Sequence, residues 1–323
     1  MSVVLTGREN REVLAGLIVP TWTRGAARQE QPVVIFVAGQ PGSGKTRLAD
    51  LVHTVLDRRG GAVRIGSDLY KGAHRHYPRL LAEDVRTAGV KTRPDTRRWQ
   101  AAVEEHARSH RFDAVVETAL ADPDEFRTAA AAYRQAGYRI EVVALATHES
   151  LSQLGLLDRY LSEIPAGGGR YVSWENHDGC ARRLLTTLTA VEQERPADRI
   201  TIVRRGMEAL YGNELIDGSW SCPPAADKAV AAERSRPWTA RGPPGRPPSS
   251  ATSCPAPNGA STTSRCRPTG NWRSTEMPSA PSPSPSPCAG WPRPDRSHRA
   301  STTTACRLRS TGGRSRSSSS PRT

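Results

Sequence analysis

Two hydrophobic periods exchange places along the first 240 residues. Val33 to Ala38 is an unbroken apolar run, the pattern of a strand buried on both faces of a parallel sheet. The period then lengthens, and Leu48, Leu51, Val52 and Leu56 fall at helical spacing. The same exchange recurs, predicting strands at 33–38, 62–66, 113–117, 139–145 and 199–203 and helices at 44–58, 97–109, 123–136, 149–161 and 175–194. An amphipathic stretch over about 9–17 precedes them. Strands alternating with helices imply right-handed crossovers. The expected fold is α/β: a doubly wound, mostly parallel sheet with helices on both faces and ligands at the carboxyl ends of its strands.

The turn between the first strand and its helix carries the most specific chemistry. Gly39, Gln40, Pro41, Gly42, Ser43, Gly44, Lys45 and Thr46 fit G-x-x-x-x-G-K-[ST]. Such a loop turns backbone N–H groups toward phosphate oxygens at a helix N-terminus, where the dipole favours anions. These eight residues are the expected nucleotide site of a P-loop fold, with ATP or GTP as phosphoryl donor. Lys45 would reach the β- and γ-phosphates, and Thr46 would ligate Mg²⁺.

Other candidates follow the strand ends. The second strand runs into Asp68, a candidate base for a hydroxyl acceptor; the competing reading makes it a helix N-cap. The third ends in Glu117 and Thr118, placed to hold substrate hydroxyls or the Mg²⁺ shell, with Glu117 alternatively paired to a neighbouring arginine. Arg159 lies on a predicted helix, and Arg170 follows Gly167 to Gly169. Two guanidinium groups on a mobile segment would neutralise the transferring phosphoryl group. The other reading pairs Arg159 with Asp158 or Glu163 on the surface. His74, His76 and Tyr77 make no metal site, since i, i+2 histidines share no helix face and a third ligand is missing; they read as a solvated loop, with a substrate-contacting surface loop as the alternative.

Composition changes the picture at one boundary. The net charge of +14 suggests an anionic partner, yet residues 1–239 carry only +3, with 33 basic and 30 acidic side chains. Residues 240–323 contain 13 arginines, no lysine, two acids and Leu308 as their only branched aliphatic. This tail has too little apolar surface for a core, and disorder is expected. Its Arg, Ser and Pro content resembles a GC-rich gene read out of frame; alternatively it binds nucleic acid nonspecifically through phosphate charge. Two domains are therefore expected, a P-loop domain over 1–239 and the tail over 240–323. Of six cysteines only Cys180 precedes residue 220, and no C-x-x-C spacing occurs, so neither zinc nor a disulfide framework is indicated. Arg8, Glu9, Arg11 and Glu12 interrupt the N-terminus where a signal peptide needs an apolar core. With no apolar run of about 20 residues, the expectation is a cytoplasmic protein without membrane contact.

The segments "FVAGQPGSGKT", "IGSDLYKGAHRHYP", "VVETAL", "LLDRY" and "GGGR…NHD" together resemble the zeta toxin family of P-loop kinases over residues 8 to 239. The resemblance implies ATP- or GTP-dependent phosphorylation of a sugar hydroxyl of UDP-N-acetylglucosamine, and an epsilon-type antitoxin as partner. It implies that Lys45 and Thr46 serve phosphate and Mg²⁺, Asp68 acts as base, Glu117 holds substrate, and Arg159 and Arg170 clamp phosphates. Two departures stand out. Ala121 replaces an arginine common four residues after the glutamate, and "ARGPPGRPP" replaces a C-terminal helix. A related kinase acting on an antibiotic or nucleoside hydroxyl is the nearest alternative, and a nucleic-acid-binding NTPase using the tail is a more distant one.

Overall fold

The computed structural model describes residues 3–163 and 170–237. The 240–323 tail and the expected mobility of Gly167 to Gly169 lie outside the described residues. Seven strands form one sheet in the order β2-β3-β1-β4-β5-β6-β7. Strands β1 (Val33–Ala38), β2 (Ala62–Ile65), β3 (Asp113–Thr118), β4 (Arg139–Ala146) and β5 (Arg199–Arg204) pair in parallel. β6 (Ala209–Ile216) and β7 (Ser219–Trp220) extend the sheet antiparallel. β1 is flanked by β3 and β4, which places its carboxyl end, and the loop that follows, where the sheet's winding reverses.

The strand alternation sends Val34, Phe36 and Ala38 to one core and Val33 and Val37 to the other. The second core is closed by α3 (Lys45–Asp57) through Leu48, Ala49 and Leu56. The first is larger. It is closed by α5 (Val85–His110), α6 (Pro123–Gln135), α8 (Trp174–Glu194) and α9 (Ala226–Arg234), through Trp99, Val103, Phe126, Tyr133, Leu184, Leu188 and Val230. Phe36 meets Phe126 edge-on at a centroid distance of 5.1 Å, the arrangement that ring quadrupoles favour. The N-terminal α1 (Gly7–Val13) passes through a π-helical stretch, Leu14–Ile18, into α2 (Val19–Trp22), and Ile18 joins the same core. α4 (Tyr77–Glu83) and α7 (Glu149–Glu163) complete the helices among the described residues.

Each predicted strand and helix is present, and the largest extension concerns α5. It begins at Val85, twelve residues before the predicted start, with Asp84 accepting from the Arg86 N–H as N-cap. Its first half buries Thr92, Asp95 and Thr96, with Ala88 as the one small aliphatic among them, which hides the helical period, and Pro94 lies inside it. α4, α9 and the β6–β7 hairpin are further additions. The hairpin turns on Asp217 and Gly218, both at positive φ, the geometry an Asp-Gly pair provides.

The His74 segment differs from its reading as a solvated loop. His74 is fully buried. Its Nδ1 accepts from the His76 N–H at 3.3 Å, so Nε2 carries the proton and donates to Asp95 at 3.2 Å. Asp95 also accepts from the Leu5 N–H and from Asn10 Nδ2, both at 2.9 Å. The histidine is thus a structural link between the β2 side of the sheet and the N-terminal helix.

Candidate active site

The glycine-rich loop between β1 and α3 takes its shape from backbone conformations and close approaches. Gly42 and Gly44 have φ of 77° and 103°, in the region that penalises a side chain. A Cβ on Gly42 would also lie 2.0 Å from the Ser152 carbonyl oxygen. α7 comes this close because its own Gly155 faces the Gly42 carbonyl. Lys45 Nζ donates to the carbonyl oxygens of Gly39 at 2.8 Å and Gln40 at 3.1 Å. Burial pushes its pKa down to about 8, against the opposing pull of Asp68 and Glu117.

Asp68 caps no helix. Its Oδ1 accepts from Lys71 Nζ at 2.6 Å. The protein atoms crowded around Asp68 would raise its pKa, although 60% of its side chain is exposed, but Lys71, Arg170 and Arg159 outweigh that effect and hold the carboxyl below its usual range. Arg159 and Arg170 approach each other closely enough to interact electrostatically, and both face Asp68 and Tyr77. Arg170 is steadied by Glu163, with Nη2 at 2.9 Å from Oε1 and its backbone N–H at 3.0 Å from Oε2. Of the two partners in its other reading, Arg159 makes no ion pair with Asp158 but lies within electrostatic reach of Glu163; its Nε is buried without a hydrogen-bond partner among the described residues.

Glu117 occupies the end of β3 beside β1, and both sequence readings of it have a counterpart. Its Oε1 pairs with Arg64 Nη2, while Oε2 lies 3.5 Å from Thr46 Oγ1. Arg64 is held on its other side by Asp50 Oδ1 at 2.6 Å. A threonine hydroxyl and a carboxylate this close are hard oxygen donors of the kind Mg²⁺ takes together with nucleotide phosphates and water. Thr118 Oγ1 accepts from the Leu120 N–H at 2.9 Å and so shapes its own turn. No cluster of three or more His, Cys, Asp or Glu fit to hold a metal occurs among the described residues.

The structure therefore brings Lys45, Thr46, Asp68, Glu117, Arg159 and Arg170 to one end of the sheet. Sequence reasoning did not single out Arg64, Lys71 or Arg205, although Lys71 stands three residues from Asp68 in the quoted segment. Arg205 follows β5, donates to the Leu151 carbonyl at 3.0 Å and lies against Gly44 and Gly155. Also unremarked was a buried relay. Ser152 Oγ is 2.7 Å from His177 Nε2, and His177 Nδ1 is 2.7 Å from Asp178 Oδ1. This resembles a hydrolytic triad in spacing, but Ser152 and His177 are fully buried, so no external substrate reaches the hydroxyl.

The zeta toxin family model matches residues 20–216, a span that holds the glycine-rich loop and every side chain placed around it above. The chain belongs to the zeta toxin family. Toxin PezT of Streptococcus pneumoniae serotype 4 is 26% identical over 215 residues, a match covering 62% of this chain and 83% of PezT. Toxin zeta of Enterococcus hirae is 23% identical over 193 residues, covering 59% of this chain and 66% of that protein. Among solved structures, one from the PezAT chromosomal toxin–antitoxin system of S. pneumoniae aligns with a TM-score of 0.62 at 21% identity. It covers 73% of this chain and 91% of its own, which shows the shared fold. Among the described residues of this zeta-toxin-type P-loop kinase, no helix is long and apolar enough to cross a membrane.

Proposed function

We propose that this kinase transfers the γ-phosphate of ATP or GTP to a sugar hydroxyl of UDP-N-acetylglucosamine. The reading is carried by the convergence of one carboxylate, Asp68, with Lys45, Arg159 and Arg170 beside a phosphate-binding loop. The acceptor oxygen attacks the γ-phosphorus as the bond to the β–γ bridging oxygen breaks. Asp68 takes the hydroxyl proton, and the nucleoside diphosphate leaves. Lys45, Arg159 and Arg170 stabilise charge on the transferring group, as electrostatic catalysis of phosphoryl transfer requires. Thr46, with Glu117 as a second oxygen donor, would hold Mg²⁺, which when bound would neutralise phosphate charge. Thr118 would meet the acceptor, and so would Glu117 where it does not serve the metal.

A second acceptor class, an antibiotic or nucleoside hydroxyl, is favoured by two observations. Glu117 is already engaged by Arg64, and Ala121 stands where family members commonly place an arginine, so selectivity for the sugar nucleotide rests on fewer groups. An antitoxin of the kind named for the PezAT system is the proposed protein partner. The compartment of action would be the cytoplasm.

The test incubates the full chain with Mg²⁺, ATP or GTP, and UDP-N-acetylglucosamine, beside Lys45→Ala. Mass spectrometry should find a sugar nucleotide heavier by one phosphate that depends on Lys45. Nucleotide hydrolysis without that product would replace this acceptor by another hydroxyl compound. Activity that requires added nucleic acid would instead favour the NTPase reading.

A further inference from the structure

We propose that Arg234, in the last turn of α9, is a positioning residue for the phosphate-binding loop, acting through the side chain of Gln40. Arg234 Nη2 donates to Gln40 Oε1 at 2.9 Å, across 194 residues of sequence, and Nη1 donates to the Ala181 carbonyl at 2.8 Å. The Gln40 amide orientation is fixed by chemistry. Arginine only donates, so Oε1 must face it, while Nε2 donates to the Thr147 carbonyl at 2.8 Å and to Ser152 Oγ at 3.2 Å. Gln40 is fully buried, and each of its amide groups is matched.

The backbone of the same residue forms the loop's working part. The Gln40 carbonyl oxygen accepts from Lys45 Nζ and from the Ser43 N–H at 3.2 Å. Side chain and carbonyl belong to one residue, so fixing the amide fixes the acceptor that holds Lys45. Ser152 receives Gln40 on one side and His177 on the other, which ties α7 and α8 into the same clamp. Thr147 adds a bond from Oγ1 to the Ser43 carbonyl at 3.0 Å.

The arginine's setting argues against a purely packing role. Its side chain is 9% exposed, its nearest carboxylate oxygen, Glu149 Oε1, lies 3.9 Å away, and its Nε has no partner among the described residues. Burying a guanidinium on two neutral acceptors is costly, and a leucine would fill a helix–sheet contact more cheaply. What the charge supplies is a directional donor to Gln40.

This inference rests on the loop's nucleotide reading, and two measurements on the full chain separate them. One is fluorescent-nucleotide affinity; the other is amide hydrogen exchange over residues 40–46 without nucleotide. Arg234→Ala should weaken nucleotide binding about tenfold and speed loop exchange by a similar factor, a loss of the size expected for one charge-assisted hydrogen bond. Arg234→Lys keeps a donor and should fall between. Val230→Ala, which weakens α9 in the core without touching Gln40, should lower thermal stability and leave both readouts near wild type. The proposal is overturned if Arg234→Ala or, should that variant not fold, Arg234→Lys leaves loop exchange unchanged. It is equally overturned if Val230→Ala loosens the loop as much. A wild-type chain that binds no nucleotide, yet whose loop exchange depends on Arg234, would overturn the nucleotide reading alone.

Discussion

Lys71 holds Asp68 in a 2.6 Å ion pair from one turn further along the chain, and this pairing sets how the proposed base titrates. With Lys71, Arg170 and Arg159 outweighing partial desolvation, this largely exposed carboxylate stays ionised to somewhat below the usual carboxylate range. The acid limb of kcat/KM for phosphoryl transfer is expected below the usual carboxylate range. Lys71→Met removes the strongest opposing charge, so the limb should move to higher pH. Asp68→Asn should lower kcat by roughly 10²–10⁴-fold, the worth of a positioned base, with nucleotide binding retained. A pH–rate profile that ignores Lys71 would separate Asp68 from the proton transfer.

Lys45 gives a second pH dependence, of opposite sign. Its folded pKa is depressed to about 8, so the free protein loses the ammonium charge as pH rises through that value. A polyphosphate favours the charged form, and binding above pH 8 must therefore take up a proton. Nucleotide affinity should be flat below about pH 7 and fall by up to about tenfold per pH unit above 8. Calorimetry at pH 8.5 in buffers of different ionisation enthalpy would register the uptake directly. The same depression bears on stability: the penalty of a buried ammonium is present below pH 8 and is relieved as Lys45 deprotonates.

Arg64 lies between two carboxylates of unequal exposure, and this predicts an asymmetric mutational cycle. Glu117 is 11% exposed and Asp50 60% exposed. Arg64→Met leaves Glu117 as an uncompensated, mostly buried charge, and should cost about 3 kcal/mol of folding stability. Adding Glu117→Gln should return part of that loss, while adding Asp50→Asn should return little, because water already solvates Asp50. Urea denaturation of the single and double variants measures the coupling.

These pairings also show why some of the molecule was legible in sequence and some was not. β1 is a continuous apolar run, β3 and β4 hold shorter ones at Ala114–Val116 and Val142–Ala146, and the glycine-rich loop has a fixed spacing, so sheet and phosphate site follow from short-range pattern. Asp68 and Glu117 were visible because charged residues at strand ends lie where an α/β sheet binds ligands. Arg64 was not, since a charged residue within a strand shows no partner until β3 and α3 are placed beside it. The first half of α5 escaped because Thr92, Asp95 and Thr96 carry its buried face. Arg234 was hidden for a plainer reason: its partner is 194 residues away.

Asp95 shows how much stability such a polar face can hold. Fully buried, it accepts from the Leu5 N–H, Asn10 Nδ2 and His74 Nε2, three donors contributed by the N-terminal segment and the loop after β2. Asp95→Ala strands all three away from water and should cost about 3 kcal/mol or more, since each unsatisfied buried donor carries a penalty of about 1–3 kcal/mol. Asp95→Asn keeps one acceptor oxygen but turns an N–H toward a donor, so it should fall between wild type and alanine. Because α1 and Leu5 just ahead of it are held to α5 through this carboxylate and the 3.0 Å bond from Trp99 Nε1 to the Asn10 carbonyl, the loss should be local first. Limited proteolysis near Arg24 should accelerate in Asp95→Ala before cleavage elsewhere. Uniform acceleration across the chain would mean that the N-terminal helix unfolds only together with the sheet.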